Sequence, residues 1–121
     1  MRQSITQKQN ITPQSAVPTA TDGVDMKLSG SVMRVKKALV TVSVTVGTGI
    51  YEVWGRTDSR GSATWGRIAR LNAGVALGVE SIHEVIDNIG PYDRIALRFT
   101  GGTPTSTAVI CEVLENALRG D

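Results

Sequence analysis

Val40, Val42, Val44 and Val46 alternate with Thr41, Ser43 and Thr45, and this stretch restricts the fold more than any other. A period of two places the valines on one face of an extended strand and the hydroxyls on the other, so one face is buried and the other wet. A helix cannot segregate them in this way. The same alternation recurs over residues 51–56, 95–99 and 108–114. It predicts an all-β chain, a single antiparallel β-sandwich with either a jelly-roll or an immunoglobulin-like winding.

A length of 121 residues corresponds to one domain, large enough to bury a core without metals or disulfides. Only five residues are aromatic, so Val, Ile, Leu and Ala must fill that core. Nine arginines and four lysines are spread along the chain among eleven acids, for a net charge of +2. Nucleic-acid binders cluster their cations, so this distribution predicts no nucleic-acid partner. Cys111 is the only cysteine and lies within an apolar run, where a buried structural thiol is expected. The opening residues lack the apolar core of a signal peptide, and no stretch approaches the roughly 18–20 apolar residues of a membrane span. The expectation is a soluble protein with no membrane partner, made in a reducing cytoplasm.

Residues 1–22 are polar, contain Pro13 and Pro18, and have no sustained periodicity. They predict a flexible N-terminal arm, either a disordered terminus or a segment that orders across a neighbouring subunit with Ile5, Ile11 and Val17 as pegs. The β-sandwich domain is expected over residues 23–118, followed by a tail at 119–121. Val24, Met26 and Leu28 suggest a first strand, and residues 32–35 a second short strand or the entry to the long strand at 38–46. Residues 50–57 and 62–71 flank Asp58-Ser59-Arg60-Gly61 as a hairpin. Trp54-Gly55-Arg56 on one arm is echoed by Trp65-Gly66-Arg67 on the other. Val75, Leu77 and Val79 alternate after a turn at 72–74. Residues 81–89 fit a strand or irregular crossing better, with a single helical turn as the alternative. Ile95, Leu97 and Phe99 face inward, opposite Arg94 and Arg98. Residues 107–115 are apolar on both faces and read as a central strand. Its carboxylate Glu112 is expected near the rim or paired with an arginine.

Catalytic constellations are missing from the pattern. His83 is the only histidine and has no nucleophile elbow beside it, so an ordinary polar-face residue is expected. One His and one Cys cannot build a zinc site within one subunit. Glu80, Glu84, Asp87 and Asp93 lie among arginines and read as surface salt links; Asp87, Asn88 and Asp93 lack EF-hand spacing for calcium. Asn10-Ile11-Thr12 is a sequon without meaning off the secretory route, and Arg119-Gly120-Asp121 is a chance-level tripeptide. No enzyme, cofactor, catalytic residue or metal site is expected. The best functional candidates are Trp54 and Trp65 with Arg56 and Arg67, a surface able to stack on a sugar ring or anchor a protein interface. The competing structural reading puts the indoles in the core or over a sheet edge.

The polar arm, the hairpin Tyr51-Glu52-Val53-Trp54-Gly55-Arg56-Thr57 with Thr64-Trp65-Gly66-Arg67, and the closing Tyr92-Asp93-Arg94-Ile95-Ala96-Leu97-Arg98-Phe99 with Ala108-Val109-Ile110 together carry a family likeness. The chain resembles small structural proteins of tailed-bacteriophage particles, especially head-decoration or cement proteins. The hairpin is also similar to one in discoidin-like sandwiches. The resemblance implies a non-enzymatic virion protein on the capsid surface that self-associates, often as a trimer in that group, and stabilises the lattice of the major capsid protein. A tail, adaptor or head-fibre component is the near alternative, and a carbohydrate-binding module using Trp54 and Trp65 the more distant one.

Overall fold

The computed structural model describes residues 3–26, 37–57, 64–87, 89 and 92–116, with side chains described from Gln7 to Glu112 within those ranges. Eight strands make up most of it: β1 (Gln3–Ile11), β2 (Val24–Asp25), β3 (Lys37–Val46), β4 (Ile50–Thr57), β5 (Thr64–Arg70), β6 (Ser81–Ile86), β7 (Arg94–Thr100) and β8 (Thr105–Asn116). They form two antiparallel four-stranded sheets, in the orders β1-β8-β3-β6 and β2-β7-β4-β5. The pairings nest. β4 pairs with β5, β3 with β6, β2 with β7 and β1 with β8, so the chain is laid out as one long hairpin. The β3–β8 and β4–β7 ladders then join these pairs side by side.

One core cluster draws on both sheets. Val40, Val42, Val44, Ala108 and Ile110 come from the first sheet, and Tyr51, Val53, Ile95 and Leu97 from the second. The alternation that begins at Val40 therefore works as expected as far as Val44. Val46 breaks it at 61% exposed, because a register shift between Val44 and Val46 turns the strand end outward. Tyr51 is fully buried, and its hydroxyl donates to Ser106 Oγ across the core at 2.8 Å. Burial raises the Tyr51 pKa, partly offset by that hydrogen bond. Tyr51→Phe is expected to cost about 1 kcal/mol, the net worth of one such bond. Urea unfolding should register it as a lower midpoint with an unchanged slope.

Several expectations are corrected. Residues 1–22 are not a free arm: residues 3–11 are strand β1, paired with β8 from Gln3↔Asn116 to Ile11↔Ala108. Ile11 is a core residue at 6% exposed, whereas Val17 is 50% exposed and the buried residue beside it is Pro18. The Ile5 side chain lies outside the described residues. The strand suggested by Val24, Met26 and Leu28 is described only as β2, with Met26 buried after it, and residues 27–36 lie outside the described set. So do the hairpin tip at 58–63 and the tail at 117–121.

Residues 75–79 are not a strand. Leu77 is bridged to Gly49 by paired backbone bonds and buried, while Val75 and Val79 are exposed. Before them, Leu71–Gly74 forms a 3-10 turn, with Asn72 and Ala73 at positive φ (55° and 52°). Such a backbone costs roughly 1 kcal/mol per non-glycine residue. Here Val75 N–H donates to Asn72 O, and Asn72 N–H donates to the Glu84 carboxylate. Residues 81–86 are a strand, as favoured.

Glu112 is neither at a rim nor beside an arginine. It is 1% exposed on the core face of β8, where Gln9 Nε2 donates to its Oε1 at 3.0 Å and Oε2 has no hydrogen-bond partner. Gln9 can reach it because β1 carries glutamines, not aliphatics, on its inward positions 7 and 9, opposite Glu112 and Ile110.

Candidate interaction surface

Glu52, Trp54 and Arg56 occupy alternate positions of β4 and so share its outward face. Register supplies their neighbours: Arg98 and Arg70 flank Glu52, Ala96 and Arg67 flank Trp54, and Arg94 and Trp65 flank Arg56. The four residues singled out from sequence, Trp54, Arg56, Trp65 and Arg67, therefore meet on one sheet face. Both indoles sit half-buried on that face, outside the core cluster.

Glu52 is the electrostatic centre. Its side chain is 6% exposed and stands 3.4 Å from Arg70 Nε, 3.6 Å from Arg67 Nη1 and 3.9 Å from Arg98 Nη1. Trp54 Nε1–H donates to its Oε1 at 2.9 Å. Burial alone would raise the Glu52 pKa, but the Trp54 and Arg70 hydrogen bonds and the Arg67 and Arg70 charges outweigh it and hold the carboxyl below the ordinary glutamate value. A depressed folded-state pKa contributes stability above the unfolded value, and that stability is lost as pH falls through the folded one. Glu52→Gln is thus expected to cost about 1.5–3 kcal/mol at pH 7, the range for hydrogen bonds to a charged group. The deficit should shrink on acidification, measured by urea unfolding across pH.

The second half of the surface holds a strap of main chain. Arg98 Nε donates to Ser15 O at 2.9 Å, Trp65 Nε1 to Thr19 O at 2.9 Å, and Arg56 to Ala20 O. Arg94 donates to Asp22 O at 3.0 Å and to Gly23 O at 2.8 Å. All five contacts read backbone carbonyls of the strap. The strap is tightened from within. Asp22 Oδ2 accepts from Thr19 N–H, Thr19 Oγ1 and Gln14 Nε2, bonds that lower the Asp22 pKa, the Thr19 backbone bond first. Gly23 has φ +81°, and a Cβ there would lie 2.6 Å from Ile95 O and 2.9 Å from the Trp65 ring. Only glycine fits this crossing.

The guanidinium of Arg98 stands over Trp54 at 5.8 Å and that of Arg56 over Trp65 at 6.0 Å, within cation–π range. One face of each indole is thereby occupied. Trp65→Ala is expected to leave the sheets folded but loosen the strap. Thermolysin nicking within residues 12–22 should rise roughly tenfold, the effect of about 1.4 kcal/mol on local opening.

Elsewhere the polar groups serve local structure. His83 Nδ1 lies 2.8 Å from Thr41 Oγ1 on an exposed face. Glu80 accepts from Gly78 N–H and Glu84 from Asn72 N–H, each bracing a turn. Asp87 is exposed and Asp93 buried. Among the described residues no three His, Cys, Asp or Glu side chains gather as a metal set, and no helix is long and apolar enough to cross a membrane.

Sequence reasoning missed Glu52, Arg70, Arg94 and Arg98 as members of the surface. The spacing Glu52–Trp54–Arg56 announces a shared face, but the flanking arginines enter only through strand register. Comparison with protein-family models, curated proteins and solved structures finds no match to this chain.

Proposed function

We propose that the chain is a non-enzymatic virion structural protein, a decoration or cement component that binds a phage head lattice as an oligomer and stabilises it. The observation that carries this reading is the strand order. Among the described residues, the eight strands in the orders 1-8-3-6 and 2-7-4-5 favour a jelly-roll winding over the immunoglobulin arrangement, and one core shared by both sheets supports a β-sandwich. Jelly rolls recur in viral capsid and lectin domains, and the link from fold to role is one of analogy.

The character of the surface favours a protein partner over a sugar. Five arginines, Arg56, Arg67, Arg70, Arg94 and Arg98, share the outward face with Glu52, with the Asp25 that register sets opposite Arg94, and with the strap's Asp22, leaving surplus positive charge on a strand-borne surface that the strap partly covers. Arginine- and tryptophan-rich surfaces suit an acidic protein partner. The indoles' occupied faces leave less room for a stacked sugar ring.

A component that binds the assembled lattice in preference to free subunits stabilises the shell by mass action. The expected result is a defined oligomer in light scattering that co-sediments with heads of the phage or prophage encoding the chain and raises their melting temperature. A monomer that stays in the supernatant would end this reading. Retention on a glycan array, abolished by Trp54→Ala in a folded protein, would instead favour the carbohydrate-binding alternative.

A further inference from the structure

Residues 3–26 have an unusual relation to the rest of the molecule. They complete both sheets at once. β1 adds to the edge of β8, β2 adds to the edge of β7, and Gln14 joins β7 through paired backbone bonds with Leu97 and Phe99. Between these additions the strap crosses Arg56, Trp65, Arg94 and Arg98. Ile11, at the end of β1, and Met26, at the end of the unit, enter the core. Ten residues, 27–36, then lead to β3. Fully extended, ten residues reach roughly 33–36 Å.

The forces holding this unit are of a particular kind. Edge pairing is main chain to main chain, and the strap is held by side chains reading carbonyls. The inward positions of β1 at 7 and 9 are glutamines, so the strand brings little apolar burial there. A part-buried polar contact adds specificity, Gln9 to Glu112, with the same amide donating to Asp25 O at 3.2 Å. A foreign strand lacking an amide at that position would leave the Glu112 carboxyl with no donor. That requirement, together with a glycine where Gly23 crosses Ile95 O and apolar residues at Ile11 and Met26, is met by another copy of this chain.

We propose that residues 3–26 are an exchangeable element, which a second copy of the chain supplies to the β7 and β8 edges and the Arg–Trp face of the first. Every contact described above is remade in the exchanged form, so the only differences lie in the connection and in the entropy of association. This is the condition under which exchange of an identical element is cheap. The inference rests on the self-association in the reading above and names the segment that would mediate it.

Register supplies the test. Lys8 and Cys111 are directly opposed across β1 and β8, and opposed residues share a sheet face at Cα separations that a disulfide can span. Full-length K8C/C111S is refolded together with the wild-type chain and oxidised. Within either chain alone the two thiols of the pair are never both present, so only exchange brings them into register. The expected result is a covalent heterodimer, at several times the yield from a T12C/C111S control whose thiol lies four residues along from that register. A yield no greater than the control overturns the proposal. Should K8C/C111S fail to fold, N10C/C111S mixed with V109C/C111S tests the neighbouring pair, Asn10↔Val109, in the same way. Light scattering on the same samples separates the two ideas. An oligomer without the in-register cross-link rejects exchange while self-association stands, and a monomer rejects both.

Discussion

Gly55→Val is expected to lower the free energy of unfolding by about 3 kcal/mol, whereas Gly66→Val should be neutral or mildly stabilising. The two glycines look equivalent in sequence, each the centre of a Trp-Gly-Arg triplet, and they face each other across β4 and β5. Their surroundings differ. A Cβ on Gly55 would lie 2.5 Å from Tyr92 Cδ1 and 2.6 Å from Ile68 Cδ1, while nothing stands within 4 Å of one on Gly66. Ile68 can swing its terminal methyl aside, but the Tyr92 ring cannot leave without opening the core edge. Overpacking of this kind costs about 1–3 kcal/mol, and valine adds two further methyls beyond the Cβ. At Gly66 a β-branched residue gains strand propensity at no steric cost. Urea denaturation of the two variants side by side decides the matter, and equal destabilisation would contradict the packing described for Tyr92.

The second large effect is on pH dependence. The Glu112 carboxyl is pushed up to about 7, chiefly by burial, with the Gln9 hydrogen bond opposing and the charge of Asp25 adding. Between the ordinary glutamate value of 4.5 and about 7 the folded protein holds a proton that the unfolded chain has released. Stability is therefore full below that window and falls as pH rises through it, by about 3 kcal/mol. This runs opposite to the contribution of Glu52, which is lost on the acid side. Glu112→Gln should match the wild type below pH 4.5 and exceed it above pH 7. Protein unfolded by urea at half-unit intervals gives the profile; a wild-type curve flat from pH 5 to 8, or one that Glu112→Gln leaves unchanged, would falsify the assignment.

The parts of the fold legible in sequence are those where period-two patterning meets a one-sided environment. Val40, Val42 and Val44 declare the inner face of β3, and Ile95 and Leu97 that of β7, because each alternates with groups that face outward. β1 hid because its inward positions at 7 and 9 are glutamines, so the alternation that marks a buried strand is missing. Only the register with β8 reveals that Gln9 is there to answer Glu112. Val46 misled for a geometric reason, a shift in register that no pattern of side chains announces. The candidate surface was half legible. Trp54 and Arg56 share parity with Glu52 on one strand, but Arg98 reaches Glu52 from a strand 46 residues away, a pairing that leaves no local trace, and Arg70 takes its place only through the register shift inside the predicted hairpin.

The nested pairing has a consequence for how the molecule is made. The innermost partners, β4 and β5, stand a few residues apart and can close as soon as both leave the ribosome, whereas Gln3 waits for Asn116. Loop closure grows costlier with separation, so the ladders are expected to zip outward from the central hairpin and to finish with the chain's first strand. Throughout translation of the intervening hundred or so residues that strand has no partner of its own. Polysomes, which hold several nascent copies side by side, are then where one chain's opening segment and another's freshly emerged β8 would first meet.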